Sequence, residues 1–161
     1  LWEREQVLRP KQYVGFKYFN VYGPNEYFKG SMASVIFHTF NKIKETGEMG
    51  LFKSYRPDYE DGQQLRDFVY VKDICKVVKF MIENPAVNGL FNLGTGTARS
   101  FYDLAKATFT ALGLEPNIKF VDMPESLRAK YQYYTQADMQ KLRDRDIKKN
   151  FIVLKKDAEI M

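Results

Sequence analysis

Apolar residues recur along this chain at two alternating spacings. Between Val14 and Tyr22, Val14, Phe16 and Tyr18 share one face at a period of two, and Phe19 and Val21 take the other. A strand apolar on both faces is usually buried inside a sheet, and Gly23-Pro24 ends this one. The period then becomes helical. Met32, Val35, Ile36, Phe40 and Ile43 form one stripe over Ser31–Thr46, with Ser31 read as the N-cap and Gly47 as the C-terminal cap. Arg66–Val71 reads as a second strand. Asp73 is read as the cap of a helix bearing Ile74, Val77, Val78, Met81 and Ile82, which stops at Asn84-Pro85. Leu90–Leu93 is a short buried strand. Ser100 and Asp103 resemble a capping box ahead of a helix ending at Gly113. Ile118–Val121 is a further strand, and Thr135–Asp138 opens a short helix through Leu142. Strands alternating with helices predict an α/β fold. Residues 1–12 read as a helix end and connector. Residues 144–161 lack periodicity and read as a disordered, divergent or frameshifted tail. No internal repeat is present.

Composition changes this picture little. An apolar fraction of 45% is ordinary for a globular chain. A net charge of +5 mildly favours anionic partners, but Lys and Arg are scattered, so nucleic acid is not an expected partner. The single cysteine, Cys75, excludes an internal disulfide framework and fits a reducing, cytoplasmic setting. No apolar run approaches the ~20 residues of a membrane span, and no signal peptide is read. No metal site is expected.

Candidate chemistry gathers after the first strand. In open α/β sheets, ligands bind beyond the carboxyl ends of strands. Asn20 sits at such an end, and Lys29 and Ser31 precede a helix N-terminus, which favours anions. A phosphorylated ligand is therefore expected. Ser31 and His38 are seven apart, two turns along one polar face, so both could meet one extended ligand. Gly94-Thr95-Gly96 is only G-x-G and reads as a simple turn. A Ser–His–Asp hydrolase is set aside because no G-x-S-x-G elbow exists. The loop Lys53–Gln64, broken by Pro57 and Gly62, is expected to be exposed.

Y-F-N-V-Y-G-P (Tyr18–Pro24) resembles the signature of extended short-chain dehydrogenase/reductases, the nucleotide-sugar epimerases and dehydratases. F-K-G-S-M-A-S-V-I-F-H (Phe28–His38), R-D-F-V-Y-V-K-D (Arg66–Asp73), F-N-L-G-T-G (Phe91–Gly96) and Y-Q-Y-Y-T-Q-A-D (Tyr131–Asp138) follow in order. As a set they are similar to the ADP-L-glycero-D-manno-heptose 6-epimerase group within that family. The resemblance implies the carboxyl-terminal part of a Rossmann-type fold with a smaller α/β substrate lobe. Residues 1–24 and 66–94 would belong to the nucleotide-binding sheet, and 25–65 and 95–143 to the substrate lobe. It implies NADP as cofactor, an ADP-heptose type nucleotide sugar as substrate, and a homo-oligomer, pentameric in the group. The implied reaction is transient oxidation at C6 of the heptose, in lipopolysaccharide core biosynthesis.

Residue by residue, the resemblance makes Lys29 a second acid/base beside the cofactor. A nearby positive charge would lower the pKa of such a lysine. Val21 would touch the cofactor through its backbone, and Asn20 would hydrogen-bond the substrate. Ser31, His38, Phe52, Lys53, Ser54, Tyr55 and Tyr131 would line the substrate. Arg66 would reach a phosphate through its planar fork, the alternative being an ion pair with Asp67 or Glu60. The family's Gly-rich turn is not in this sequence, and the resemblance places its Tyr-x-x-x-Lys pair just before residue 1. The chain alone is therefore expected to turn nothing over, and to aggregate or remain partly disordered. The alternatives are part of an epimerase or dehydratase for another nucleotide sugar, or a non-catalytic module binding a phosphate ligand.

Overall fold

The computed structural model describes residues 10–145; the readings for most of 1–12 and for the tail lie outside these residues. In chain order the elements are β1 (Val14–Tyr18), β2 (Asn20–Tyr22), α1 (Val35–Thr46), β3 (Met49–Phe52), β4 (Leu65–Arg66), β5 (Phe68–Tyr70) and α2 (Val71–Glu83). They continue with β6 (Gly89–Leu93), β7 (Arg99–Ser100), α3 (Phe101–Ala111), β8 (Ile118–Val121), α4 (Glu125–Arg128) and α5 (Gln140–Arg143).

The one long strand expected over Val14–Tyr22 is two. β1 runs parallel to β6, with Val14 opposite Gly89 and Tyr18 opposite Leu93. At Phe19 the partner changes. Phe19 N donates to Leu93 O at 3.1 Å, and Asn20 N donates to Asp67 O at 3.0 Å. β2 then runs parallel to β5, from Asn20 opposite Phe68 to Tyr22 opposite Tyr70. Alternation cannot show this exchange, because side chains keep their period of two while the neighbour changes. The Arg66–Val71 strand divides likewise, at Asp67. β3 pairs parallel with β8, β4 pairs antiparallel with β7, and Leu65 bridges to Tyr134.

Two apolar cores result. Val69, Ile74, Val77, Met81, Phe91 and Leu93 pack together under α2, joined by Ala137, Met139 and Leu142. Those last three come from the segment assigned above to the substrate lobe. Tyr22, Ile36, Phe68, Tyr70 and Leu104 form the second core, between β2, β5, α1 and α3. Burial pushes the Tyr22 phenol up to about 12, with help from Asp73 and Tyr70.

Two expected caps are elsewhere. α1 begins after Ser34, whose Oγ accepts from Phe37 N at 3.2 Å, so Ser34 and not Ser31 is the N-cap. Gly30–Met32 is a separate 3-10 turn, and Met32 is 84% exposed rather than part of the core stripe. Gly47, at φ 69°, is the C-cap as expected. α2 begins at Val71, so Asp73 does not precede the helix. It is a buried first-turn residue paired with Lys76 at 2.6 Å, where the helix dipole favours its charge. Ser100 does cap α3, its Oγ accepting from Asp103 N at 2.9 Å.

Candidate functional site

A cleft of about 630 Å³ opens beside β2, at Asn20 and Val21; Asn20 begins this strand rather than ending one, contrary to the sequence expectation. Asn20 and Val21 form its floor. The segment between β2 and α1 gives one wall, through Glu26, Lys29, Met32 and Ser34. The other wall comes from β3, Gln64, Arg66, Phe68, Phe101 and Tyr131. Of the residues singled out in the sequence, the structure thus brings Asn20, Val21, Lys29, Phe52, Arg66 and Tyr131 to one cavity.

Arg66 dominates its electrostatics. The side chain is half-buried. Its guanidinium lies 5.6 Å from the Phe101 ring centroid and 5.4 Å from that of Tyr131. It donates to Leu65 O at 2.8 Å and to Gln132 O. Burial pushes it down from the ordinary arginine range, with Tyr131 acting the other way, but a guanidinium remains charged at any working pH. The ion pair with Asp67 or Glu60 is not formed. Asp67 is fully buried and turned away, accepting from Thr95 N (2.7 Å), Thr95 Oγ1 (2.5 Å), Gly96 N (2.9 Å) and Ala137 N (3.0 Å). Arg66 is therefore a cation held between aromatic rings, with no carboxylate answering it among the described residues.

Lys29 stands on the opposite wall, half-exposed. The expected positive neighbour is replaced by a negative one: Glu26 Oε2 lies 3.5 Å from Lys29 Nζ. Glu26 is 4% exposed. Burial pushes its carboxyl up, but donation by the Ser34 hydroxyl and amide, the Gly23 amide and the Lys29 charge outweigh this and hold it below the ordinary glutamate value.

The remaining sequence candidates lie outside the cavity lining. Ser31 is exposed in the 3-10 turn. His38 is exposed on α1, its ring against Phe37. Because Ser31 is not in α1, the two do not share a helical face. Lys53 pairs with Asp122 at 3.2 Å, and Tyr55 donates to the same carboxylate at 3.1 Å, with Arg128 4.0 Å above its ring. Ser54 N donates to Asp61 Oδ1 at 2.6 Å. The loop expected to be exposed ends inside the protein: Gln64 is buried, its amide donating to Phe52 O at 3.2 Å. Among the lining residues not expected at the site, Glu26, Ser34, Gln64 and Phe101 carry its polar groups and one of the rings beside Arg66. Only Phe101 carried a signal, as a helix residue of the core.

The family model described as NAD dependent epimerase/dehydratase matches residues 8–94, more than half of the chain. The chain belongs to this epimerase/dehydratase family. Two curated relatives carry the name ADP-L-glycero-D-manno-heptose-6-epimerase. That of Fusobacterium nucleatum is 50% identical over 149 residues, covering 89% of this chain and 45% of the relative. That of Nitratidesulfovibrio vulgaris is 55% identical over 131 residues, covering 81% and 41%. The crystal structure of the Helicobacter pylori protein of the same name superposes with a TM-score of 0.70 at 28% identity, over 92% of this chain and 42% of that one. The chain spans less than half the length of each. Its fold is the Rossmann-type α/β arrangement of the epimerase/dehydratase family.

Membership implies a nicotinamide cofactor. Such a dinucleotide needs free backbone N–H groups for its pyrophosphate. The Gly94-Thr95-Gly96 turn does not offer them, since Thr95 and Gly96 already donate to Asp67.

Proposed function

We propose that this chain forms the sugar-nucleotide grip of an epimerase that interconverts ADP-D-glycero- and ADP-L-glycero-D-manno-heptose, by NADP-dependent transient oxidation at C6, for the lipopolysaccharide core. The observation that carries the reading is Arg66: a half-buried cation that lines a 630 Å³ cleft and has no carboxylate partner among the described residues. A diphosphate supplies the missing charge in the geometry a guanidinium fork prefers. Residues 1–24 and 66–94 then belong to the nucleotide-binding sheet, 25–65 and 95–143 to the substrate lobe, with the cleft between them.

In this reading Arg66 draws the diphosphate against Phe101 and Tyr131. Asn20 hydrogen-bonds the sugar, Val21 meets the nicotinamide edge, and Phe52 and Tyr131 give apolar walls. Lys29, across the cleft, moves a proton at the carbinol oxygen. Ser31, His38, Lys53, Ser54 and Tyr55 serve the rim. The cofactor's pyrophosphate requires polypeptide beyond these residues, so the 161-residue chain binds sugar nucleotide without turning it over. The working protein is a homo-oligomer, as the resemblance implies, in the cytoplasm.

Titration calorimetry with ADP-heptose tests the grip, and an epimerisation assay with ADP-heptose and NADP tests the inactivity. Saturable binding with no epimerisation is expected. Absence of binding, or tighter binding of a UDP-sugar, overturns the reading.

A further inference from the structure

The segment from Gly23 to Ser34 carries Lys29 across open solvent with few apolar anchors. Tyr27, Phe28 and Met32 are 72%, 98% and 84% exposed. Burial therefore does not fix its shape. One buried side chain reaches both of its ends. Glu26 Oε1 accepts from Gly23 N at 3.2 Å, where β2 gives out, and from the Ser34 hydroxyl at 2.7 Å. Oε2 accepts from Ser34 N at 2.7 Å, immediately before α1. The same oxygen faces Lys29 Nζ at 3.5 Å.

We propose that Glu26 is the positioning residue of Lys29. Its carboxylate buckles the two ends of the segment together and holds the ammonium against the cleft wall. This rests on the reading of Lys29 given above. A lysine on a free loop spreads its charge over many rotamers, and holding it in one costs side-chain entropy. An exposed ion pair rarely overcomes that, because both partners must be ordered. Here one partner is already fixed by three hydrogen bonds, so only the lysine stem remains to be held. Glu26 also sets the hydroxyl of Ser34. By accepting the hydroxyl's hydrogen bond, Glu26 turns the lone pairs of the Ser34 oxygen toward Phe37 N, which couples the ammonium to the start of α1.

A double-mutant cycle on the 161-residue chain tests this, with ADP-heptose affinity read by calorimetry. If Lys29→Ala weakens binding about tenfold and Glu26→Gln about fivefold, the pair together is expected to weaken it about tenfold, not about fiftyfold. Should E26Q fail to fold, Glu26→Asp carries the same cycle, since it keeps the charge and loses the reach. A product of the two effects overturns the proposal, because Glu26 then shapes the loop without acting through Lys29. So does an unchanged affinity in E26Q beside a weakened K29A, which leaves the grip reading intact. An unchanged K29A beside a weakened Arg66→Gln overturns the role of Lys29, and this proposal with it.

Discussion

Thr95 donates twice to one oxygen of Asp67, from its amide at 2.7 Å and from its hydroxyl at 2.5 Å. The other oxygen takes Gly96 N and Ala137 N. Asp67 is fully buried, and donors surround it on both sides. Asp67→Asn preserves the volume but turns one oxygen into an NH₂, which must then face two donors whichever way the amide is set. Leaving buried donors unsatisfied costs about 1–3 kcal/mol, so D67N is expected to lose about 3 kcal/mol in urea unfolding. Thr95→Val removes one donor only and is expected to lose about 1 kcal/mol.

Gly94 lies against the same cage. A Cβ there would meet Ala137 Cβ and Asp67 Oδ2, both at 2.7 Å. Neither neighbour is the end of a flexible side chain free to swing away. Gly94→Ala is thus expected to destabilise by about 1–3 kcal/mol through overpacking. Gly113→Ala meets no atom within 4 Å, yet sits at φ 69°, so its smaller loss would come from backbone strain alone. Thermal melts of the two variants separate these causes.

The start of α1 gives a second contrast. Ser34→Ala removes the oxygen that caps Phe37 N and the hydroxyl that donates to Glu26, and is expected to cost about 1–2 kcal/mol. Ser31→Ala, at an exposed position in the 3-10 turn, is expected to stay within about 0.5 kcal/mol of the parent. Equal losses in denaturant would return the cap to Ser31.

These two serines and two glycines mark where the sequence was legible. Apolar periodicity located the three long helices and most strands, but not the single turn α4, because helical and strand spacings survive even when ends shift. The ends shifted for polar reasons. Ser31 and Ser34 are equally good caps by type, and what selects Ser34 is a carboxylate eight residues earlier. Gly94-Thr95-Gly96 reads as a plain turn until Asp67, distant in sequence, is placed inside it. Arg66 and Tyr131 were found through the resemblance, and the fold explains why they meet: Leu65 pairs with Ser100 and bridges to Tyr134. Gln64 was lost to a loop that looked polar throughout, since nothing local tells a buried glutamine from a solvated one.

Glu26 has a pH signature. Its carboxyl lies below the ordinary glutamate value of 4.5 in the folded protein, so its hydrogen bonds stabilise the fold fully above that value. The contribution is lost as pH falls through the depressed folded value. Asp58 and Asp122 are likewise held low, by Arg56 and by Lys53 with Tyr55, so the parent loses stability in acid from several groups. The difference between parent and E26Q isolates Glu26. That difference is expected to be largest near neutrality and to shrink below about pH 4.5, as urea midpoints across the range would show. A difference independent of pH would mean that the charge of Glu26 contributes nothing to the loop.

Arg66 is where the grip reading is most exposed. Its two carbonyl partners and two rings hold the guanidinium in place before any ligand arrives, so little ordering remains to be done on binding. Hydrogen bonds to a charged group contribute about 1.5–3 kcal/mol, hence Arg66→Gln is expected to weaken ADP binding roughly 10–100-fold. Arg66→Lys keeps the charge but loses the fork and the guanidinium's contact with the Phe101 and Tyr131 rings, so it should restore only part of the affinity. Tyr131→Ala leaves the charge and removes one ring, and a loss there would show that placement as well as charge matters. Raising the salt should weaken the parent more than R66Q, because the variant has one fewer cation facing the diphosphate. Affinities that were equal in the parent, R66K and R66Q would mean that the diphosphate lies elsewhere, and that the aromatic sandwich serves only to bury an arginine.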